Sequence, residues 1–425
     1  VVNAIEFLLK ENIIQVSTSH QTRDSAGVPD WIKNTAWWWA TDDISETEFV
    51  NAIEFLIENG IISTNARADF FHDSQSWNAF DFGDYGIGNL PEGYRGLTFD
   101  GKYAYFAPYY NGQGRHGEVL RYDTTSSFNT PSSWSTFDPS KNGIGEHAVG
   151  FVQAVFDGKY VYFVPLHNSS GPNGEVLRYD TTSSFNTPSS WSTFDPSNNG
   201  VGENPRGYAG ATFDGKYIYF APSGYVQHGE VLRYDTTSPF NTPSSWSTFD
   251  PSKNGVGENP RGYEGATFDG NYIYFAPFKN GEEMHGEVLR YDTSSSFGTP
   301  SSWSTFDPSK NGVGENARGY WGVELIGKYI YFSPYHNGKT FHSEVLRYDT
   351  TSPFNTPSSW STFNVSNFSS DDPDGYVGAT FDGKYIYFAP NNNGVHEHGE
   401  VLRYDTTSPF NTPSSWSTFD PSKNG

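Results

Sequence analysis

The chain has 425 residues, a formal charge of −23 and no cysteine. The missing cysteine excludes disulfides, thiolate catalysis and cysteine-ligated metal, and the negative charge argues against nucleic acid and anionic membrane surfaces, whose binding needs a basic face. No run of about 18 apolar residues is present to span a bilayer, and with aromatics at 17% against 35% hydrophobic residues in all, Tyr, Phe and Trp must supply much of the core.

The first residues, Val2-Asn3-Ala4-Ile5-Glu6-Phe7-Leu8, return as Val50-Asn51-Ala52-Ile53-Glu54-Phe55-Leu56, an offset of 48. In the complete copy Ser45 and Glu48 have capping-box spacing, Phe49, Ile53 and Leu56 share a helical face, and Gly60 stands where a helix ends. Pro29-Asp30 opens another helical stretch through Trp31 and Trp37 to Trp39. Residues 1–62 are therefore expected to hold helical hairpin repeats, the first incomplete, within a longer polypeptide. The run Trp31-Ile32-Lys33-Asn34 with its following Trp residues, and Ile53-Glu54-Phe55-Leu56-Ile57 before Gly60-Ile61-Ile62, resembles small modules of secreted and cell-surface archaeal proteins. That resemblance covers residues 29–62, with half of it repeated over residues 1–16, and implies an extracellular or surface location. The Trp residues suit a hairpin core or a docking face equally. Residues 63–76, with Asn65, Asp69, His72 and Asp73, read as a linker.

From Trp77 a different repeat begins: Trp77, Trp134, Trp191, Trp246, Trp303, Trp360 and Trp416 are spaced by 57, 57, 55, 57, 57 and 56 residues. One period carries four strand signals. Tyr263 to Phe268 is followed by the turn dipeptide Asp269-Gly270, then Tyr272 to Phe275 stopped by Pro277, then Glu287 to Asp292, then Trp303 to Phe306. Four antiparallel strands in a period of this length is the signature of a propeller blade. Residues 77–425 are expected to form an all-β, six-bladed β-propeller of four-stranded antiparallel blades. The Trp-bearing strand occurs once more than the other three. The expectation for closure is that the Trp77 strand completes the blade begun at Gly375, leaving the Trp416 strand outside the ring and open to association.

Five sets of residues could carry function. Interblade loops reading Asp-Pro-Ser-x-Asn-Gly give Asp138, Ser140 and Asn142; Asp195, Ser197 and Asn199; Asp250, Ser252 and Asn254; and Asp307, Ser309 and Asn311. Their alternating oxygens resemble the first part of a calcium loop, so Ca²⁺ is a candidate ligand, but no acidic residue follows at the twelfth position and the same residues make tight turns. Arg206, Arg261 and Arg318 precede Tyr208, Tyr263 and Tyr320 in successive blades. Such a set resembles the carboxylate clamp of sialidases, although the Asp and Gly of the sialidase turn are missing around Trp303 and no unique acid and nucleophile stand out. Tyr94, Phe151, Tyr208, Tyr263, Tyr320 and Tyr376 open the first strands; they are expected either to ring a sugar-binding mouth or to pack between blades. His116, His228, His285, His342 and His398 recur before the third strand, with Asn173 in the odd copy; they are expected to hydrogen-bond across the blade mouth and would form a positive belt in acid. Asn168, Asn364 and Asn367 begin Asn-x-Ser sequons compatible with glycosylation.

These features point to a non-catalytic extracellular module, structural or adhesive, in a cell-surface assembly or filament. It would associate with copies of itself or other surface proteins through repeated faces and an unpaired strand. A glycan-binding, lectin-like propeller is the alternative, and a carbohydrate-active enzyme of sialidase-like architecture comes third. Near-identical copies suit multivalent contacts.

Overall fold

A computed structural model describes residues 14–16, 62–64, 70–89, 91–281, 283–367 and 373–424. The chain divides into two compact units, Val1–Ser76 and Trp77–Gly425. In the first, Ile14–Val16 pairs antiparallel with Ile62–Thr64. Ile62 to Thr64 is thus a strand, where the sequence pattern suggested the end of a hairpin and the start of a linker. Ile14–Val16 is likewise strand inside the range expected to be helical, and the helices expected elsewhere in residues 1–62 fall on residues outside those described.

The second unit is a β-propeller with six four-stranded antiparallel blades. Their inner strands are Tyr94–Phe99, Phe151–Phe156, Tyr208–Phe213, Tyr263–Phe268, Tyr320–Ile326 and Tyr376–Phe381. Blade four shows the plan. Tyr263–Phe268 pairs with Tyr272–Pro277, which pairs with Val288–Asp292, which pairs with the outer strand Trp303–Phe306. The first turn forms because Asp269 accepts the backbone N–H of Asn271 and Tyr272 on one carboxylate oxygen and the Tyr274 hydroxyl on the other, at 2.8, 2.7 and 2.8 Å. The outer edge is set by Trp303, whose indole N–H donates to the Phe297 carbonyl at 2.9 Å.

A single blade buries little, so the core lies between blades. Five aromatic clusters fill the spaces from blade one to blade six. Between blades three and four, Phe249 stacks on Trp303 at 5.3 Å, and the Arg233 guanidinium lies between Tyr217 of its own blade and Phe297 of the next, 4.3 and 4.2 Å from the ring centres. Pairs of this kind contribute about 0.5–1.5 kcal/mol beyond their buried area, and the motif recurs at each successive interface.

The expectation for closure is corrected. Blade six is complete in itself: Trp416 pairs with Tyr404 in its outer strand. The surplus copy is Trp77-Asn78-Ala79-Phe80, which lies outside every sheet among the described residues. The chain reaches blade six's outer strand in sequence order, so that edge needs no strand from residue 77.

Candidate functional site

The loops into blades two to five are each held by one glutamate at the start of that blade's third strand. Glu287 accepts the N–H of Glu258 at 2.8 Å and of Asn259 at 3.0 Å; Glu175, Glu230 and Glu344 do the same for the loops at Glu146, Glu203 and Glu315. The loop comes so close that a Cβ on Gly257, which sits at φ 63°, would lie 2.3 Å from Glu287 Oε1. Only glycine fits there. This repeated Gly-Glu-Val-Leu motif reads in sequence as an ordinary strand start, and its clamping role was missed.

The four calcium-candidate sets turn inward on themselves. Asp307 Oδ1 accepts from Ser309 N–H at 3.0 Å and Ser309 Oγ at 2.6 Å, while the Asn311 amide donates to the Asp307 carbonyl at 2.8 Å. Asp138 with Ser140 and Asn142, Asp195 with Ser197 and Asn199, and Asp250 with Ser252 and Asn254 repeat this. Asp138, Asp250 and Asp307 are each the capping residue of a short 3₁₀ turn. Lys310 reaches from this turn to Glu258 of the preceding loop, and Lys253 to Glu203 likewise. Among the described residues no group of three or more His, Asp or Glu is arranged to hold a metal ion.

Of the two places open to the aromatics that begin the first strands, a mouth or the space between blades, the burial fits the second. Phe151, Tyr208, Tyr263, Tyr320 and Tyr376 are fully buried between blades, Tyr94 is half-buried, and the hydroxyls of Tyr94, Tyr208 and Tyr263 donate to the carbonyls of Glu118, Glu230 and Glu287. These rings are core and offer no face to a ligand. His116, His228, His285, His342 and His398 pack edge-on against the same Tyr positions at 5.5–5.9 Å. Burial holds all five below the usual imidazole range, His285 and His342 down to about 4. Burial thus opposes the positive belt expected in acid: each imidazole is harder to charge than a free one, and His285 and His342 hold off protonation until about pH 4. Arg206 donates to Ser197 Oγ and Asn198 Oδ1, and Arg261 to Asn259 Oδ1, so both forks are engaged on interblade loops. Arg318 Nε is buried with no partner among the described residues. Asn168 Oδ1 accepts from Ser170 N–H, Asn364 Oδ1 accepts from Ser343 and Ser366, and Asn367 ends a 3₁₀ turn.

What does converge is a cluster that breaks the repeat. The second residue of the inner strand is Val152, Ala209 or Val377 in three blades, but Arg95 in blade one, Glu264 in blade four and Trp321 in blade five. Arg95 lies over Tyr109 of its own blade at 4.1 Å and over Trp321 at 5.7 Å, a contact that joins blades one and five across the axis. Trp321 in turn meets Tyr335 at 4.7 Å, Phe278 at 5.2 Å and Tyr225 of blade three at 5.9 Å. Arg115 covers Tyr109 at 3.8 Å. Comparison against protein families and against curated proteins finds no match for this sequence. The site has to be read from its own chemistry.

Glu264 sits beside this cluster, only 3% exposed. One oxygen accepts from Ser223 Oγ and Gly224 N–H, both at 3.0 Å, and the other has no partner among the described residues. Burial pushes its carboxyl up to about 8, so at neutral pH it is mostly protonated and can donate one hydrogen bond. The arrangement is an aromatic floor with Tyr225 and Arg95 open to solvent, two guanidinium groups and one buried carboxylic acid. Such a surface can stack a flat apolar ring face and hydrogen-bond its polar rim. The legible signal was the departure of positions 95, 264 and 321 from the repeat.

Proposed function

We propose that this chain is a non-catalytic structural or adhesive module of an extracellular assembly, working through rigid, repeated faces. The observation that carries the reading is that most copies turn their polar residues on themselves. The Asp turn, the Glu clamp and the Asp–Tyr hydrogen bond each recur in most blades, blade five lacking the Asp of the first turn, which yields a stiff scaffold with similar features repeated around it. Sameness suits multivalent contact with copies of itself or with a repetitive partner. A charge of −23 makes chains repel at low ionic strength, so assembly should strengthen as salt screens it. Sedimentation of the full chain at rising concentration and salt tests this: concentration-dependent growth in size that increases with salt is expected. A monomer under every condition, together with no retention on a purified cell-surface fraction, would sink the reading.

The axial cluster favours glycan binding as a second reading. Here Trp321 and Tyr225 supply the stacking faces, and Arg95 and protonated Glu264 supply the polar contacts. A glycan array with the full chain and its Trp321→Ala variant tests it. Binding lost on that substitution supports the reading, and no binding, or binding indifferent to Trp321, removes it.

A further inference from the structure

Six blades are joined by five interfaces. Inner strands pack side by side from blade one through blade six, but no comparable packing joins blade six to blade one among the described residues. The two flanks show it residue by residue. Gly96, Gly210, Gly265 and Gly322 each abut the next blade, so that an added Cβ would meet it at 2.6, 2.8, 3.2 and 2.9 Å, whereas Gly378 of blade six has nothing within 4 Å. On the other side Leu97 of blade one is 54% exposed, while its counterparts Ala154, Ala211, Ala266 and Val323 are 5–9% exposed. Phe128 is 37% exposed, against 3–4% for Phe185, Phe240, Phe297, Phe354 and Phe410 in the same position of the other blades.

The surplus copy of the Trp strand stands in that place. At each interface the last Phe of one outer strand stacks on the Trp of the next: Phe137 on Trp191, Phe194 on Trp246, Phe249 on Trp303, Phe306 on Trp360 and Phe363 on Trp416, at 5.0–5.5 Å. Were blades six and one neighbours, Phe419 would stack on Trp134. Instead Phe419 stacks on Trp77 at 5.8 Å and Phe80 stacks on Trp134 at 5.6 Å. Trp77 acts as the next blade for blade six, and Phe80 as the preceding blade for blade one. From Phe80 the chain reaches Asn89, whose N–H donates to both oxygens of Glu118 at 2.9 and 3.1 Å, the counterpart of the clamp that ends the loops into blades two to five. Past blade six, Asp420 closes on Ser422 the turn that elsewhere leads from one blade to the next.

We infer that the place between blades six and one is a docking site for a further three-stranded β-sheet of the repeat's own sequence, completed on its outer edge by Trp77–Phe80. The chemistry of the occupant follows from the flanks. A Gly-Ala-Thr-Phe inner strand matches the bare faces at Gly378 and Leu97. A Val-Leu-Arg-Tyr-Asp third strand sets its Tyr opposite Trp77, as Tyr291 stands opposite Trp303, and its Arg over Phe128, as Arg121 lies over Phe185 at 4.1 Å.

The test uses the full chain with a copy of residues 256–299 joined after Gly425, where it continues the Asp420 turn in register. The chain has no cysteine, so Leu97→Cys and Val395→Cys report the two surfaces by maleimide labelling. Leu97→Cys should label quickly in the chain as it is and about tenfold or more slowly once the copy is joined. Val395→Cys, at a site 81% exposed, should label quickly in both. Trp77→Ala in the extended chain should restore labelling at position 97. Leu97→Cys labelling that the joined copy leaves unchanged overturns the inference. So does slow labelling in the original chain, whether released by dilution, which assigns the face to a second molecule, or by removing residues 1–69, which assigns it to that segment.

Discussion

Blades one and four carry nearly the same strand sequences and differ in what stands beside them. In blade four the inner strand is buried along five of its six residues; in blade one every second residue is exposed. The fourth position shows the cause. Ala266 is 8% exposed between blades three and four, whereas Leu97, larger and more apolar, is 54% exposed with no core cluster on its side. Burial in this fold is therefore a property of the interface between copies, and the repeat reaches its full stability only with a neighbour on each face.

The sharpest way to test that contrast is to remove the tryptophan at the centre of an interface. Trp303→Ala takes away a 5% exposed ring that stacks on Phe249 and hydrogen-bonds Phe297, and should cost about 3–5 kcal/mol. Trp77→Ala, at the incomplete interface, should cost less than half as much; urea unfolding midpoints with equal m-values compare the two. Equal losses would break the comparison.

The next effect is the response to acid. The folded-state pKa of His285 is depressed to about 4 while the unfolded chain titrates near 6.5, so the unfolded state binds the proton first and stability falls as pH drops from about 6.5 to 4. The loss is about 3 kcal/mol for a group so placed. Glu264 works the other way: its folded pKa of about 8 makes stability decline as pH rises from about 4.5 to 8. With five depressed imidazoles against it, acid should still destabilise. Blade two is a built-in control, since Asn173 fills the histidine position and donates to the His147 and Val149 carbonyls. His285→Asn should flatten the acid limb of a thermal-melt pH series, and an unchanged slope would refute the assignment.

Enlarging the fourth position separates the two blades again. Ala266→Leu should cost about 1–3 kcal/mol by overpacking, while Leu97→Ala should fall within about 0.5 kcal/mol of neutral, both read from denaturant midpoints. The smallest expected effect is at the turns. Asp307→Ala should cost about 1 kcal/mol through loss of the cap, and because the Asp oxygens already serve the turn, a chelator should leave the melting temperature where it was.

The propeller was legible because periodic Trp, Asp-Gly turns and Val-Leu-Arg-Tyr strands recur at near-constant spacing, and backbone pairing follows from such patterns directly. Closure was less legible. Which copy of Trp-x-x-Phe is surplus depends on whether a blade begins or ends with it, and the pairing of Trp416 with Tyr404 inside blade six decides that. The first-strand tyrosines stayed ambiguous for a similar reason: a repeated aromatic is as useful between blades as at the axis, and Tyr263 and its counterparts went to the core. The residues that do reach across the axis, Arg95 and Trp321, are those that depart from the repeat, so asymmetry was the better guide to a site than frequency.

The glutamate clamp has a bearing on how such a chain can grow. Each clamp joins a third strand to the loop that precedes its own inner strand, as Glu287 joins blade four to residues 258 and 259. Both halves of the contact therefore travel within one period of the gene. An unequal crossover that gains or loses a period, such as the 57 residues from Trp134 to Trp191, leaves every remaining loop with its own glutamate at the right distance. Copy number is then free to drift under selection without any blade losing the fastening that positions it.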